Sequence, residues 1–165
     1  MARLNGFTKK QIIEVYRKMA LSRKLDDKML VMLKQGKSFF HIGASGHEGA
    51  QLAAAGMIKP GEDWSFPYYR DGAYCLGLGM TAREQLLSFL AKAADPNSGG
   101  RQMPQHYGHK DLRIVSQSSP TGTQFLQAVG CAMVCKMEKT KEVVYVSAGE
   151  GTTSQGDFHE ALNWA

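Results

Sequence analysis

The sequence predicts an α/β fold built on a parallel sheet, and three observations carry that prediction. First, Glu142–Ala148 (EVVYVSA) is apolar and rich in β-branched residues, with charge before it and glycine after it; such a run suits a buried strand of a parallel sheet. Second, this strand passes through Gly149-Glu150-Gly151 into a helix-forming stretch. That order is expected at the carboxyl edge of an open parallel sheet, where ligands bind. Third, helical patterns with recognisable start signals precede it.

The elements follow in order. Thr8 to Gln11 is a capping box, Thr-x-x-Gln, followed by apolar residues at roughly helical period from Ile12 to Leu33; this predicts a helix of about 25 residues ending near Gly36. Ser45 to Glu48 reads as a second capping box, with Glu48 as a helix cap. The helix it opens, Gly49–Gly56, is rich in small residues that let another backbone approach closely, and Pro60-Gly61 is expected to end it. Asp63–Pro67 reads as a short extended piece and Tyr69–Leu78 as a helix. Thr81 to Glu84 is a third capping box, for a helix of about ten residues. Residues 95–122 carry glycine, proline and polar side chains throughout; a loop this long inside a domain is usually functional. A helix is expected over Gln124–Glu138, then the strand, then a helix from Gly156. No glycine, proline or polar cluster closes that last helix. The fold is therefore expected to be incomplete at its carboxyl end, within a single domain spanning 1–165 whose first 40 residues form an amino-terminal helical segment.

Composition excludes several classes. Hydrophobic residues make up 43% and charged residues 21% of 165 residues, an ordinary globular balance. The net charge of +5 is mild and spread along the chain, which predicts no nucleic-acid partner. No run of 18 apolar residues exists, so no membrane span is expected, and MARLNGFTKKQ lacks the apolar core of a signal peptide. Three cysteines, Cys75, Cys131 and Cys135, do not make a disulfide framework. Cys131 and Cys135 read as core packing, and so do Met19, Met29, Met32, Met133 and Met137. The expected compartment is a reducing one.

The chemistry centres on Gly149-Glu150-Gly151. Glycine lets backbone approach a phosphate closely. The helix that follows offers free N–H groups and a positive dipole end. A lone glutamate there can hold Mg²⁺, an ion that takes phosphate oxygens besides few protein ligands. The tripeptide by itself is equally a strand–helix turn that needs glycine. Arg70 alone would read as a surface ion pair. His106 and His109 read as loop hydrogen bonding, and His41, His47 and His159 as structural.

Four blocks in order resemble the alpha subunits of thiamine-diphosphate-dependent 2-oxo acid dehydrogenases, the decarboxylating first component of branched-chain or pyruvate type. VSAGEGTTSQGDFHEALNWA is similar to the first half of the family's cofactor motif and stops before its closing asparagines. Phe66–Asp71 (FPYYRD) resembles the block whose Tyr-Arg pair contacts the diphosphate. Gly100–Gly108 resembles the Gly-Arg-Gln-Met-Pro-x-His loop, and Ser118–Gln124 resembles the Ser-Ser-Pro-x-x-Thr-Gln turn. The resemblance covers nearly the whole chain from about residue 10.

It implies a thiamine-diphosphate-binding fold and oxidative decarboxylation of a branched-chain or other small 2-oxo acid, with acyl transfer to a lipoyl partner. The implied cofactor ligands are Tyr69, Arg70, Ser119, Thr121, Gly149, Gly151 and Thr152, with Glu150 on Mg²⁺. Arginine suits the diphosphate because its planar fork donates two bonds at once. Ser118, Pro120, Thr123 and Gln124 are implied as ligands of a potassium ion. The implied partners are a beta subunit or fused beta half and a lipoyl acyltransferase. In this family the group that activates the aminopyrimidine lies on the beta subunit, so no catalytic residue is assigned here and the chain alone is expected to be inactive. The implied location is the cytoplasm of a bacterium, or the mitochondrial matrix with the presequence absent. The alternatives are another thiamine enzyme, acetoin dehydrogenase or transketolase-like, and a non-catalytic assembly module.

Overall fold

A computed structural model describes residues 3–4 and 7–165 of the chain. Two short antiparallel strands, β1 (Arg3–Leu4) and β2 (Phe7–Thr8), lead into α1 (Lys9–Lys34). The Thr8 capping box forms as expected. Thr8 Oγ1 accepts from the Gln11 backbone N–H, and the Gln11 side-chain oxygen accepts from the Thr8 backbone N–H. Both bonds satisfy helix-end donors that would otherwise be orphaned.

α1 packs along α2 (Glu48–Ala55), α3 (Gly72–Leu78) and α4 (Ala82–Phe89). The small residues of α2 allow a close approach: a Cβ added at Gly77 of α3 would lie 2.4 Å from the Ala55 Cβ. Around this contact the core gathers Ala55, Tyr74, Cys75, Leu78 and Met80 with Tyr107 and Ile114 of the long loop. The Tyr74 ring stacks on Tyr145 at 4.3 Å, and its hydroxyl is hydrogen-bonded to Ser65 Oγ at 2.7 Å. Burial of these side chains is the main stabilising term here. α4 opens on the expected Thr81–Glu84 capping box.

The sheet is small and parallel. β3 (Trp64–Phe66) pairs with β4 (Val144–Val146) in the register Trp64 to Val144, Ser65 to Tyr145 and Phe66 to Val146. On its other side Ser65 exchanges backbone bonds with Arg113 and Val115, so the long loop adds an extended piece at Ile114. After β4 a 3₁₀ turn (Glu150–Ser154) precedes α6 (Gly156–Trp164). α5 (Thr123–Glu138) packs on β4 and α6. Among the described residues no helix is long and apolar enough to cross a membrane.

Several expectations need correction. Ser45 and Glu48 form no capping box: the Ser45 hydroxyl donates to Asp26 at 2.7 Å, and His47 occupies the cap position without a side-chain bond. α2 stops at Ala55, well before Pro60-Gly61: beyond Gly56 the Met57 and Ile58 N–H groups close tighter i→i−3 turns on Ala54 O and Ala55 O. The helix expected from Tyr69 begins only at Gly72, because the chain first turns, with the Asp71 N–H bonded to Tyr68 O. The strand expected over Glu142–Ala148 is three residues long and half-buried rather than buried. The Gly149-Glu150-Gly151 segment runs into the 3₁₀ turn instead of directly into a helix. Of the methionines expected in the core only Met29 is fully buried, while Met133 and Met137 are exposed. They line a shallow pocket with Trp164 at the end of α6, which covers this face of α5 only in part. Cys131 and Cys135, on the opposite side of α5, are half-buried; Cys75 is fully buried.

Candidate functional site

Parallel pairing of β3 and β4 sets their carboxyl ends side by side. The turn after β3 carries Pro67-Tyr68-Tyr69-Arg70-Asp71, and the turn after β4 carries Ser147-Ala148-Gly149-Glu150-Gly151. The Ser147 N–H donates to Phe66 O at 3.3 Å, which extends the ladder up to the turns themselves. A Cβ on Gly149 would stand 3.8 Å from the Tyr68 ring, so the two turns are in contact.

Arg70 is half-buried. Its Nη1 donates to Gly43 O at 3.0 Å, and its guanidinium lies over the Tyr69 ring at 5.2 Å. Among the described residues no carboxylate pairs with it, which leaves most of its fork for an anion. Gly43 belongs to a loop that Asp26 holds in place: its carboxylate accepts from the Ala44 and Ser45 backbone N–H groups, each at 3.2 Å, and stands 3.0 Å from His41 Nε2. Gln105, buried and at φ 65°, donates to Ile42 O at 2.7 Å and accepts from the Ile42 N–H. The long loop therefore braces the segment that supports Arg70.

Glu150 is exposed at the start of the 3₁₀ turn. Among the described residues no group of three or more histidine, cysteine, aspartate or glutamate side chains converges as a metal site. A divalent ion on Glu150 would therefore need further oxygens, such as those of a diphosphate. A Cβ on Gly151 would meet nothing within 4 Å, so its backbone stands open. Thr152 is buried, and its N–H donates to Gly149 O at 3.0 Å.

The Ser118–Gln124 turn joins the same edge. Gln124 Nε2 donates to Ser147 O at 3.1 Å. Gly122, at φ 99°, passes so near α6 and its approach that a Cβ would lie 3.3 Å from the Gln155 Cβ and 3.5 Å from Thr152. Ser119, Pro120 and Thr121 are exposed, and Ser118 and Thr123 half-buried. The buried His106 ties this turn to the Gly100–Gly108 loop. Its Nδ1 lies 3.2 Å from Pro104 O, which can only accept, so in the neutral ring Nε2 accepts the Ser119 hydroxyl at 2.7 Å. His106 is thus engaged in loop hydrogen bonding, as expected. Two buried amide oxygens nearby in the chain, Gln102 Oε1 and Gln117 Oε1, have no donor.

Asp71 is the residue that sequence reasoning passed over. It is 1% exposed, and Oδ2 accepts from the Tyr68 N–H at 3.2 Å and from the Ser147 hydroxyl. Burial pushes its carboxyl up to about 6, against the lowering effect of those two hydrogen bonds. The available signal was an acid set directly before the apolar run Ala73–Leu78. Glu48 stands in the first turn of α2, where its carboxylate accepts the Gly46 N–H at 2.9 Å. Its hydrogen bond from Arg23, at 2.7 Å, holds its carboxyl below the usual range.

Comparison with known proteins follows the same blocks. The family model of the dehydrogenase E1 component matches residues 16–165. The chain is 48% identical over 160 residues to the 2-oxoisovalerate dehydrogenase subunit alpha of Bacillus subtilis, covering 97% of this chain and 48% of that protein. It is 34% identical over 158 residues to the mitochondrial 2-oxoisovalerate dehydrogenase subunit alpha 1 of Arabidopsis thaliana, covering 96% of this chain and 33% of that one. For the human mitochondrial subunit alpha the identity is 34% over 163 residues, with coverages of 95% and 35%. The chain thus spans about half the length of the first relative and about a third of the other two.

Proposed function

The chain belongs to the dehydrogenase E1 component family, and on that premise we propose that it is the amino-terminal, diphosphate-binding part of the alpha subunit of a branched-chain 2-oxo acid dehydrogenase. The observation that carries this reading is the meeting of Tyr69-Arg70 and Gly149-Glu150-Gly151 at the carboxyl ends of adjacent parallel strands. The complete fold is then of the thiamine-diphosphate-binding kind. The substrate class rests on the relatives named 2-oxoisovalerate dehydrogenase.

When bound, thiamine diphosphate supplies the electron sink for decarboxylation of the 2-oxo acid. The chain's own residues bind and orient. Arg70 would donate to diphosphate oxygens from a guanidinium already held by Gly43 O and the Tyr69 ring. The open backbone at Gly151, with Gly149 and Thr152 beside it, would line the other side of the diphosphate. Glu150 would contribute one oxygen ligand to Mg²⁺. Ser119 and Thr121, both exposed, would serve the aminopyrimidine side of the cofactor. Ser118, Pro120, Thr123 and Gln124 would hold a potassium ion, a role favoured by the oxygen-rich chemistry of this turn. A beta subunit, or a fused beta half, completes the site, and a lipoyl acyltransferase takes the acyl group. The setting is the cytoplasm for a bacterial source, or the mitochondrial matrix for a eukaryotic one.

The test is turnover with an artificial electron acceptor. The protein carrying this chain, assembled with its beta partner, thiamine diphosphate and Mg²⁺, should decarboxylate branched-chain 2-oxo acids faster than pyruvate. No turnover with any 2-oxo acid would overturn the reading.

A further inference from the structure

Three segments of the proposed site meet at one residue that belongs to none of the four sequence blocks as a ligand. The Ser147 hydroxyl donates to Asp71, which ends the turn after β3. The Ser147 carbonyl accepts from Gln124, which ends the Ser118–Gln124 turn, at 3.1 Å. The Ser147 backbone N–H closes on Phe66 at 3.3 Å, and two residues later the chain reaches Gly149-Glu150-Gly151. Asp71 in turn fixes the backbone before Arg70 by accepting from the Tyr68 N–H at 3.2 Å. Gln51 adds a second hold on the same turn, donating to Arg70 O at 2.9 Å.

We infer that Ser147 and Asp71 are positioning residues, a buried junction that sets the Arg70 turn at a fixed distance from the Glu150 turn so that one diphosphate–metal unit can be gripped by both. The inference rests on the proposed function. Neither side chain is placed against the cofactor. Asp71 is almost fully enclosed, and the Ser147 hydroxyl is spent on it. Their role is geometric. A contact group must be held within a fraction of an ångström of its productive place, by partners that are themselves held. The junction joins residues 76 positions apart, so it is a tertiary device rather than part of either turn. The choice of a carboxylate is explained by its acceptor capacity: one oxygen takes both the Tyr68 N–H and the Ser147 hydroxyl.

The experiment uses the protein that carries this chain, assembled with its partner subunit, in three variants: Ser147→Ala, Asp71→Ala and Asp71→Asn. Two readouts are taken on each, the melting temperature of the cofactor-free protein and the dissociation constant for thiamine diphosphate at saturating Mg²⁺ by titration calorimetry. Ser147→Ala removes only the hydroxyl and should weaken cofactor binding at least fivefold while the cofactor-free melting temperature moves by less than about 2 °C. Asp71→Ala should weaken binding further. Asp71→Asn keeps an acceptor oxygen for both bonds and should restore affinity to within about threefold of the parent. Should Asp71→Ala fail to fold, Ser147→Ala and Asp71→Asn still decide. A Ser147→Ala protein that binds thiamine diphosphate as tightly as the parent would overturn the inference while leaving the proposed function standing. A lowered melting temperature with unchanged affinity would overturn it too, by making the pair a purely structural contact. A parent that binds no thiamine diphosphate at all would overturn the function and the inference with it.

Discussion

The short helix α3 joins two regions built on opposite principles. Over its last turn it meets α2 through absent side chains: Gly77 lies where a Cβ would strike Ala55, and Leu52 stands 3.1 Å from the same point. At its first turn, Asp71 faces β4 through a buried carboxylate and hydroxyl. The α2 contact gains from dispersion and apolar burial, which are non-directional and tolerant of small shifts. The Asp71 contact is directional, and burying its charge opposes folding. The difference teaches where stability and site geometry reside. The apolar contact should hold the fold together, and the polar edge should fix where two turns stand.

Four substitutions would break or sharpen that contrast. Leu52→Ala opens a cavity in the apolar contact and should cost about 2–5 kcal/mol of stability, with cofactor affinity unchanged in whatever fraction remains folded. Chemical denaturation alongside calorimetry measures both. A loss of affinity at full folding would show that the two regions are not separable.

Asp71→Asn should do the reverse for stability. The folded carboxyl is raised to about 6 from an ordinary 3.8. Between those values the folded state keeps a proton that the unfolded state releases, so parent stability falls as pH rises through that window. The amide escapes this loss. Its advantage over the parent should be absent at pH 4 and reach on the order of 2–3 kcal/mol above pH 6. Paired denaturation curves from pH 4 to 8 check it, and a pH-independent difference would contradict the burial argument.

Arg70→Ala should weaken thiamine diphosphate binding by about 1.5–3 kcal/mol, roughly tenfold or more, and leave the fold intact. The smallest effect belongs to the outer face of α5. Met137 is 78% exposed, so Met137→Gln should change the stability of the isolated chain by less than about 0.5 kcal/mol. A loss of several times that amount would mean the residue is covered after all.

What the sequence determined by itself was whatever depends on near neighbours. The Thr8 and Thr81 capping boxes were legible because each partner lies three residues away, within one turn. The span of α5 and the glycines after β4 were legible for the same reason: periodicity and backbone freedom are local properties. Ser45–Glu48 carried the same capping pattern as Thr81–Glu84, yet Ser45 bonds Asp26, 19 residues away. No local rule ranks a distant carboxylate against a nearby N–H. The exposure of Met133 and Met137 was equally hidden, since an apolar stripe reports that a helix face wants cover and not which element supplies it. Only the tertiary structure decided that Asp71 would meet Ser147 and that Gln124 would meet the same residue. Those bonds exist because parallel pairing of β3 and β4 brings two turns together across 76 residues, and a pairing register is a property of the folded sheet rather than of either strand.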